Sequence, residues 1–345
     1  MKHAVSVGSI AVMVSTLGCG GAAVTTPADK VVGAGSTFVK PLMIRWANEY
    51  EKTTDQLVAY EAVGSAGGLH WLQEQKADFG CTDGPMTDAE LAKARKVNAE
   101  VVHVPLVMGA VVAAYNLPDV KEPVRISGPV LAGIYLGDIA TWDDPALKRL
   151  NPDVRLPHQA LHAVHRSDGS GTTYIWSDYL SKVSPKWKEK IGIGHSIEFP
   201  GGEDGLGNEG VAERVKQTAG SVGYVELAFA HQADLPFCLV QNRQQRFVKA
   251  NLESVTAAAA GAQIPDDLRY SITDAPGENS YPICGTTWAV AFLRQSSPKR
   301  EKLADFLSWM IHQGQEFAPE MFYAPLPKQL VGRAQAKIGR IRAGN

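Results

Sequence analysis

The chain has 345 residues, 45% of them apolar and 20% charged, the balance of a globular protein long enough for two domains that each bury a core. Its 34 basic and 36 acidic side chains leave a formal net charge of -2, so no overall field exists to hold nucleic acid or an anionic membrane surface. Any anion bound here must be recognised locally.

The chain begins MKHAVSVGSIAVMVSTLGCGG, a basic start followed by an apolar run from Ala4 to Leu17 that is too short to span a bilayer and has the layout of an export signal. Leu17-Gly18-Cys19 resembles the end of a bacterial lipobox, which would place a lipid on Cys19. Thr16 stands where that motif usually has Leu, so ordinary signal-peptide cleavage is the alternative. Residues 20–30 are small and polar with one proline, as a tether would be. Later hydrophobic segments carry polar interruptions, and none is expected to cross a membrane. Cys81, Cys238 and Cys284 remain; in an oxidising compartment three thiols suggest one bridge and one leftover, and their spacings match no zinc pattern.

Beyond the tether, strand-like and helix-like segments alternate, which predicts an α/β fold with a largely parallel sheet. KVVGAG (30–35) reads as a strand, FVKPLMIRWANEY (38–50) as a helix with Pro41 in its first turn, LVAYEAV (57–63) as a strand and LHWLQEQ (69–75) as a short helix. ADFGC (77–81) is a third strand, followed by a helix from Thr87. VVHVPLVMGAVVAAYN (101–116) is apolar and β-branched, split by Pro105, and is read as an interdomain crossing. Asp143-Asp144 is expected to cap a helix at Pro145. LHAVH (161–165) and SVGYVEL (221–227) are strands; TTYIWSDYLSKV (172–183) is a helix with Ile175, Tyr179, Leu180 and Val183 on one face. YPICGTTWAVAFL (281–293) is a second long apolar strand by which the chain returns to its first domain, and the segment from Pro298 is helical.

Three corners share one chemistry: GAGSTF (33–38), VGSAGG (63–68) and SDGSGT (167–172) each follow a strand and open a helix. Helix N-termini offer unpaired N–H groups and partial positive charge, glycines permit close backbone approach, and Ser36, Thr37, Ser65, Ser170 and Thr172 add hydroxyls. Any one such hydroxyl is more often a helix cap, but three such corners in one chain, the last beside Arg166, point to an anion. There is no GxxxxGK[ST], Phe38 replaces the third glycine of a dinucleotide fingerprint, and Val63 stands where a nucleophile elbow needs Gly. His158, His162 and His165 mimic a metal cluster, yet a strand would point His162 and His165 to opposite faces, so no metal is expected.

At GAGSTF, AVGSAGG, DFGCTDGPMTDAEL, IYLGDIATWDD and HRSDGSGTTYIWSDYLSKV the chain resembles the periplasmic phosphate-binding proteins of bacterial phosphate ABC importers. The similarity runs from Lys30 to Glu226 and resumes at YPICGTTW. It implies a class II periplasmic-binding fold: two α/β lobes joined by hinge crossings, with lobe I at 31–107 and 283–345 and lobe II at 108–282. Carried over by position, the ligand contacts are Thr37, the Phe38 backbone amide, Ser65, Asp83, Arg166, Ser170, Gly171 and Thr172, with Asp168 orienting the arginine.

Within that resemblance Asp83 has a chemical reading. Phosphate at neutral pH still carries a proton to donate to a carboxylate, whereas sulfate has none and would face two acceptors. The implied neighbourhood of the third and returning strands suggests a Cys81–Cys284 disulfide, with Cys238 free. The resulting expectation is a non-enzymatic, cofactor-free monomer in the periplasm or at the cell surface, anchored at most by lipid on Cys19, that delivers inorganic phosphate to an ABC permease. A phosphate-ester hydrolase, or a receptor for another tetrahedral oxyanion, is the alternative.

Overall fold

In the computed structural model, residues 30–343 are described, apart from 99 and 297. The export segment and Cys19 lie outside them. In chain order the elements are β1 (Val31–Gly35), α1 (Lys40–Thr54), β2 (Val58–Glu61), α2 (Ser65–Gln73), β3 (Phe79–Thr82), α3 (Asp88–Val97), β4 (Val101–Tyr115), β5 (Arg125–Ile126), α4 (Gly128–Tyr135), α5 (Pro145–Leu150), β6 (His162–Arg166), α6 (Gly171–Val183) and α7 (Pro185–Lys190). Then follow β7 (Glu203–Gly205), α8 (Gly207–Gln217), β8 (Ser221–Glu226), α9 (Leu227–Gln232), β9 (Leu239–Gln241), β10 (Phe247–Val248), α10 (Leu252–Ala260), β11 (Cys284–Phe292), α11 (Lys299–Ile311) and α12 (Lys328–Ala343).

Local chemistry explains many of the boundaries. Thr87 and Glu90 form a capping box at the start of α3, and Asp144 caps α5 by accepting from the Ala146 amide, as the sequence suggested. Gly64, at a φ of 80°, turns the chain so sharply that α2 begins at Ser65, earlier than its apolar pattern predicts. α6 is buried well beyond the expected stripe, with Trp176, Ser177 and Ser181 also inside.

Eight strands form one curled sheet in the order β2-β1-β3-β11-β4-β8-β6-β7. β1 is parallel to β2 and β3, and β6 is parallel to β7 and β8. At the centre the sheet is antiparallel, because β11 runs against both β3 and β4 and β4 runs against β8. The "largely parallel" expectation therefore holds only on the flanks: long crossing strands return the chain in the opposite sense. β4 pairs with β11 through Ala110 and with β8 from Val111, so one strand belongs to both halves of this two-lobed α/β fold. Pro105 does not split β4, since a register shift between Thr287 and Trp288 absorbs it as a bulge. All fifteen residues of β4 are buried. Among the described residues, no helix is long and apolar enough to cross a membrane.

The expected Cys81–Cys284 disulfide is not formed, and Cys81, Cys238 and Cys284 are all free and buried. β3 and β11 are neighbouring antiparallel strands as expected, but the register sets Cys81 against Ala289 and Cys284 against Ala110. Five residues of strand, roughly 17 Å, separate Cys284 from the position opposite Cys81.

Candidate functional site

The three glycine corners converge. One wall of a shut cleft is built from the β1–α1 corner, the start of α2, the end of β3 and the middle of β11. The other comes from the end of β6 and the N-termini of α6 and α8. Their polar residues Ser36, Thr37, Ser65, Asp83, Arg166, Ser170, Thr172 and Asn208 are each at most 5% exposed. The walls touch where the Ala66 amide donates to Gly169 O at 3.0 Å and where Thr82 Oγ1 meets His195 Nε2 at 3.1 Å. At the solvent edge Lys40 Nζ and Glu209 Oε1 form an ion pair at 2.6 Å.

Asp83 is surrounded by hydroxyls. Ser36 Oγ donates to Oδ2 at 2.6 Å, Thr287 Oγ1 to Oδ1 at 2.6 Å, and Ser65 Oγ lies 3.5 Å from Oδ2. Burial pushes its pKa up to about 6, with Ser36, Thr287 and Arg166 only partly offsetting the desolvation. An ionised carboxylate has about four acceptor positions, so these three contacts leave it capacity for one further proton donor.

Arg166 supplies the opposing charge. Its Nε donates to Asp168 Oδ1 at 2.7 Å, its Nη2 to Asp168 Oδ2, and its Nη1 to Thr172 Oγ1 at 3.2 Å. Burial alone would raise Asp168, but the guanidinium beside it outweighs that and holds the carboxyl below its ordinary value. The Tyr224 hydroxyl accepts from the Arg166 amide at 3.1 Å, fixing the end of β6.

Asn208 ties the two walls together. Its Nδ2 donates to Thr37 Oγ1 at 2.8 Å and to Thr172 Oγ1 at 3.1 Å, while its Oδ1 accepts from the Glu226 amide at 2.9 Å. Both threonine oxygens are thus occupied as acceptors, and among the described residues neither hydroxyl proton has a protein acceptor. Two unspent O–H donors, the remaining N–H groups of Arg166 and the N-terminus of α6 therefore lie at the same buried junction as Asp83. That donor set suits a small oxyanion that itself carries a proton.

Of the residues expected at the site, Thr37, Ser65, Asp83, Arg166, Asp168, Gly171 and Thr172 lie together. Gly171 packs so closely that a Cβ there would sit 2.3 Å from Asp83 Oδ2 and 2.4 Å from Ser65 Oγ. Ser170 caps α6 through the Thr173 amide at 3.1 Å, and the Phe38 amide donates to Ser36 Oγ at 3.0 Å. His158 pairs with Asp143, and His165 stacks on Phe199 beside Asp204. Asn208 and Thr287 were not anticipated. Gly205-Leu206-Gly207-Asn208 is a fourth strand-to-helix glycine corner, disguised by Leu206, and Thr286-Thr287 is a polar pair inside an apolar strand.

Residues 20–313 match the family model for a PBP superfamily domain. The chain is 40% identical over 319 residues to the phosphate-binding protein PstS of Pasteurella multocida, covering 91% of each chain. The chain belongs to the PstS family. The PstS protein of Xylella fastidiosa strain Temecula1 is 40% identical over 315 residues, covering 90% of this chain and 85% of its own. A solved phosphate-binding protein from Stenotrophomonas maltophilia shares the fold at a TM-score of 0.69 and 19% identity, covering 89% of this chain and 93% of that one. This PstS-family chain thus combines the PBP fold with a cleft in which hydroxyls, Arg166 and the carboxylates of Asp83 and Asp168 meet.

Proposed function

We propose that this chain is an extracytoplasmic receptor that captures inorganic phosphate between its two lobes and delivers it to the permease of an ABC importer. The observation that carries this reading is the pair of unspent hydroxyl protons on Thr37 and Thr172, held by Asn208 opposite Asp83. A dehydrated dianion needs many donors, and a ligand that keeps a proton can also satisfy the acceptor that an unprotonated oxyanion cannot. In this reading Thr37, Arg166, Gly171 and Thr172 donate, Asp83 accepts, Ser65 lines the cleft with its hydroxyl toward Asp83, and Asp168 orients the guanidinium. Ser170 contributes by setting the α6 N-terminus, and Phe38 by fixing the first corner.

Lobe I comprises residues 31–107 and 283–345 and lobe II residues 108–282, with β4 and the return into β11 as crossings. Residues buried on both walls support a free ion as cargo, because the alcohol part of an ester would have no room where Ala66 meets Gly169 and Thr82 meets His195. A role without catalysis, action as a monomer, and export ahead of a Cys19 that carries lipid complete the proposal. Calorimetric titration with phosphate, sulfate and arsenate tests it. Tight binding of phosphate and arsenate, with sulfate far weaker, is expected; equal affinity for sulfate would overturn the assignment.

A further inference from the structure

We propose that Glu226 is a positioning residue of this cleft, held as a neutral carboxylic acid that donates its proton to the Tyr323 hydroxyl. The inference deepens the phosphate reading and rests on it. Glu226 ends β8 and caps α9, its side chain is fully buried, and its Oε2 accepts from the Ala228 amide at 2.8 Å. Tyr323 Oη lies 2.6 Å from Phe38 O and 3.1 Å from Glu226 Oε2. A phenol carries one proton and a carbonyl oxygen can only accept, so the shorter contact claims the tyrosine proton. The contact to Glu226 is then a hydrogen bond only when the proton belongs to Glu226.

The other carboxyl oxygen gives the same answer. Glu226 Oε1 is buried without a hydrogen-bond partner, close enough to Gly109 that a Cβ there would lie 3.4 Å away. An ionised carboxylate with one oxygen dry and unpaired would cost several kcal/mol. Burial pushes the Glu226 pKa well above its ordinary value, and the negative charge of Asp83 adds to that push. Tyr323, buried beside it, is pushed well up as well and stays a phenol.

The position explains why a buried acid would be kept there. Through Tyr323 it holds the Phe38 carbonyl and so the corner that presents Thr37. Through its own amide it holds Asn208, which aims both Thr37 and Thr172. One residue of the second lobe thus bears on both threonine donors, on Thr37 through its side chain and on Thr37 and Thr172 through its backbone amide.

Infrared difference spectra of the full chain with saturating phosphate at neutral pH, comparing wild type with Glu226→Gln, test the protonation. The carbonyl band of a protonated, dehydrated acid should be present in wild type and missing from the variant; loss of a carboxylate band instead would overturn the inference. Glu226→Gln keeps a donor for Tyr323 while turning an N–H toward the Ala228 amide, which costs the α9 cap and not the Tyr323 contact, so phosphate affinity should stay within about fivefold of wild type, while Glu226→Ala should weaken it by about tenfold or more. An alanine variant that binds like wild type, or a glutamine variant as weak as alanine, would remove the positioning role. Wild-type protein that binds no phosphate would instead sink the reading of the cleft, and the infrared band would still decide the state of Glu226.

Discussion

Thr287 donates its hydroxyl proton to Asp83 across 2.6 Å although the two residues lie 204 positions apart in the chain. The returning strand β11 thereby holds one oxygen of the carboxylate while Ser36 holds the other, so protein hydroxyls fix the direction of the acceptor. Replacing Asp83 with Asn keeps the shape and turns part of the acceptor into a donor. The ratio of phosphate to sulfate affinity is expected to fall by at least about tenfold in Asp83→Asn, measured by competitive titration.

The same residue predicts a pH dependence. Its folded-state pKa is raised to about 6, above the unfolded carboxylate value, so the folded protein takes up the proton first as pH falls. Acidification through about 6 therefore relieves the cost of burying this charge and favours the folded over the unfolded protein, and that cost returns as pH rises. Protonated Asp83 can donate to sulfate. Selectivity for phosphate should be high above this pH and decline below it, which affinity measurements with both anions across the range would detect.

Asn208→Ala removes the clamp between Thr37 and Thr172 and leaves the buried Glu226 amide without its partner. A loss of about 1–3 kcal/mol in unfolding free energy is expected, with a phosphate affinity about tenfold weaker or worse. Denaturant unfolding and calorimetry read the two effects separately.

Gly171→Ala places a Cβ against Asp83 and Ser65 at distances no side chain tolerates. The backbone there is the first turn of α6, where alanine is welcome, so the lobe itself should stay folded. The expected result is an unchanged far-ultraviolet circular dichroism spectrum with phosphate affinity reduced at least about tenfold, because the walls can no longer meet.

Arg166→Lys keeps the charge and loses the fork that grips Asp168 while also reaching Thr172. Affinity should drop by about 1.5–3 kcal/mol, roughly 10- to 150-fold in Kd.

The three buried thiols should all alkylate after denaturation without reductant, as a mass count will show. Native protein should resist the same reagent, since burial pushes all three thiols up and keeps them protonated. A mass short by two labels would restore the disulfide that the strand register excludes.

The corners were legible in the sequence because their chemistry is local: a strand, glycines, a hydroxyl and a helix start fit within eight residues, as in SDGSGT around Gly171. What brings Thr287 to Asp83, or Tyr323 to Phe38, is set by strand order and a returning C-terminal segment, and no short window of sequence contains it. The disulfide expectation shows where that limit falls. The neighbouring strands were anticipated, but their register, fixed by packing along the whole length of β11, was not. Pro105 taught the converse, since a residue that locally argues for a break is absorbed by one bulge when both flanks pair well.

β4 changes partner between Ala110 and Val111, with Cys284 opposite the first and Glu226 opposite the second. No residue at this hand-over is left unpaired, so relative rotation of the two flanks can be taken up as elastic twist along a continuous backbone, like a torsion bar, without melting either ladder. Slow amide exchange should therefore run unbroken through the strand whichever way the molecule is turned.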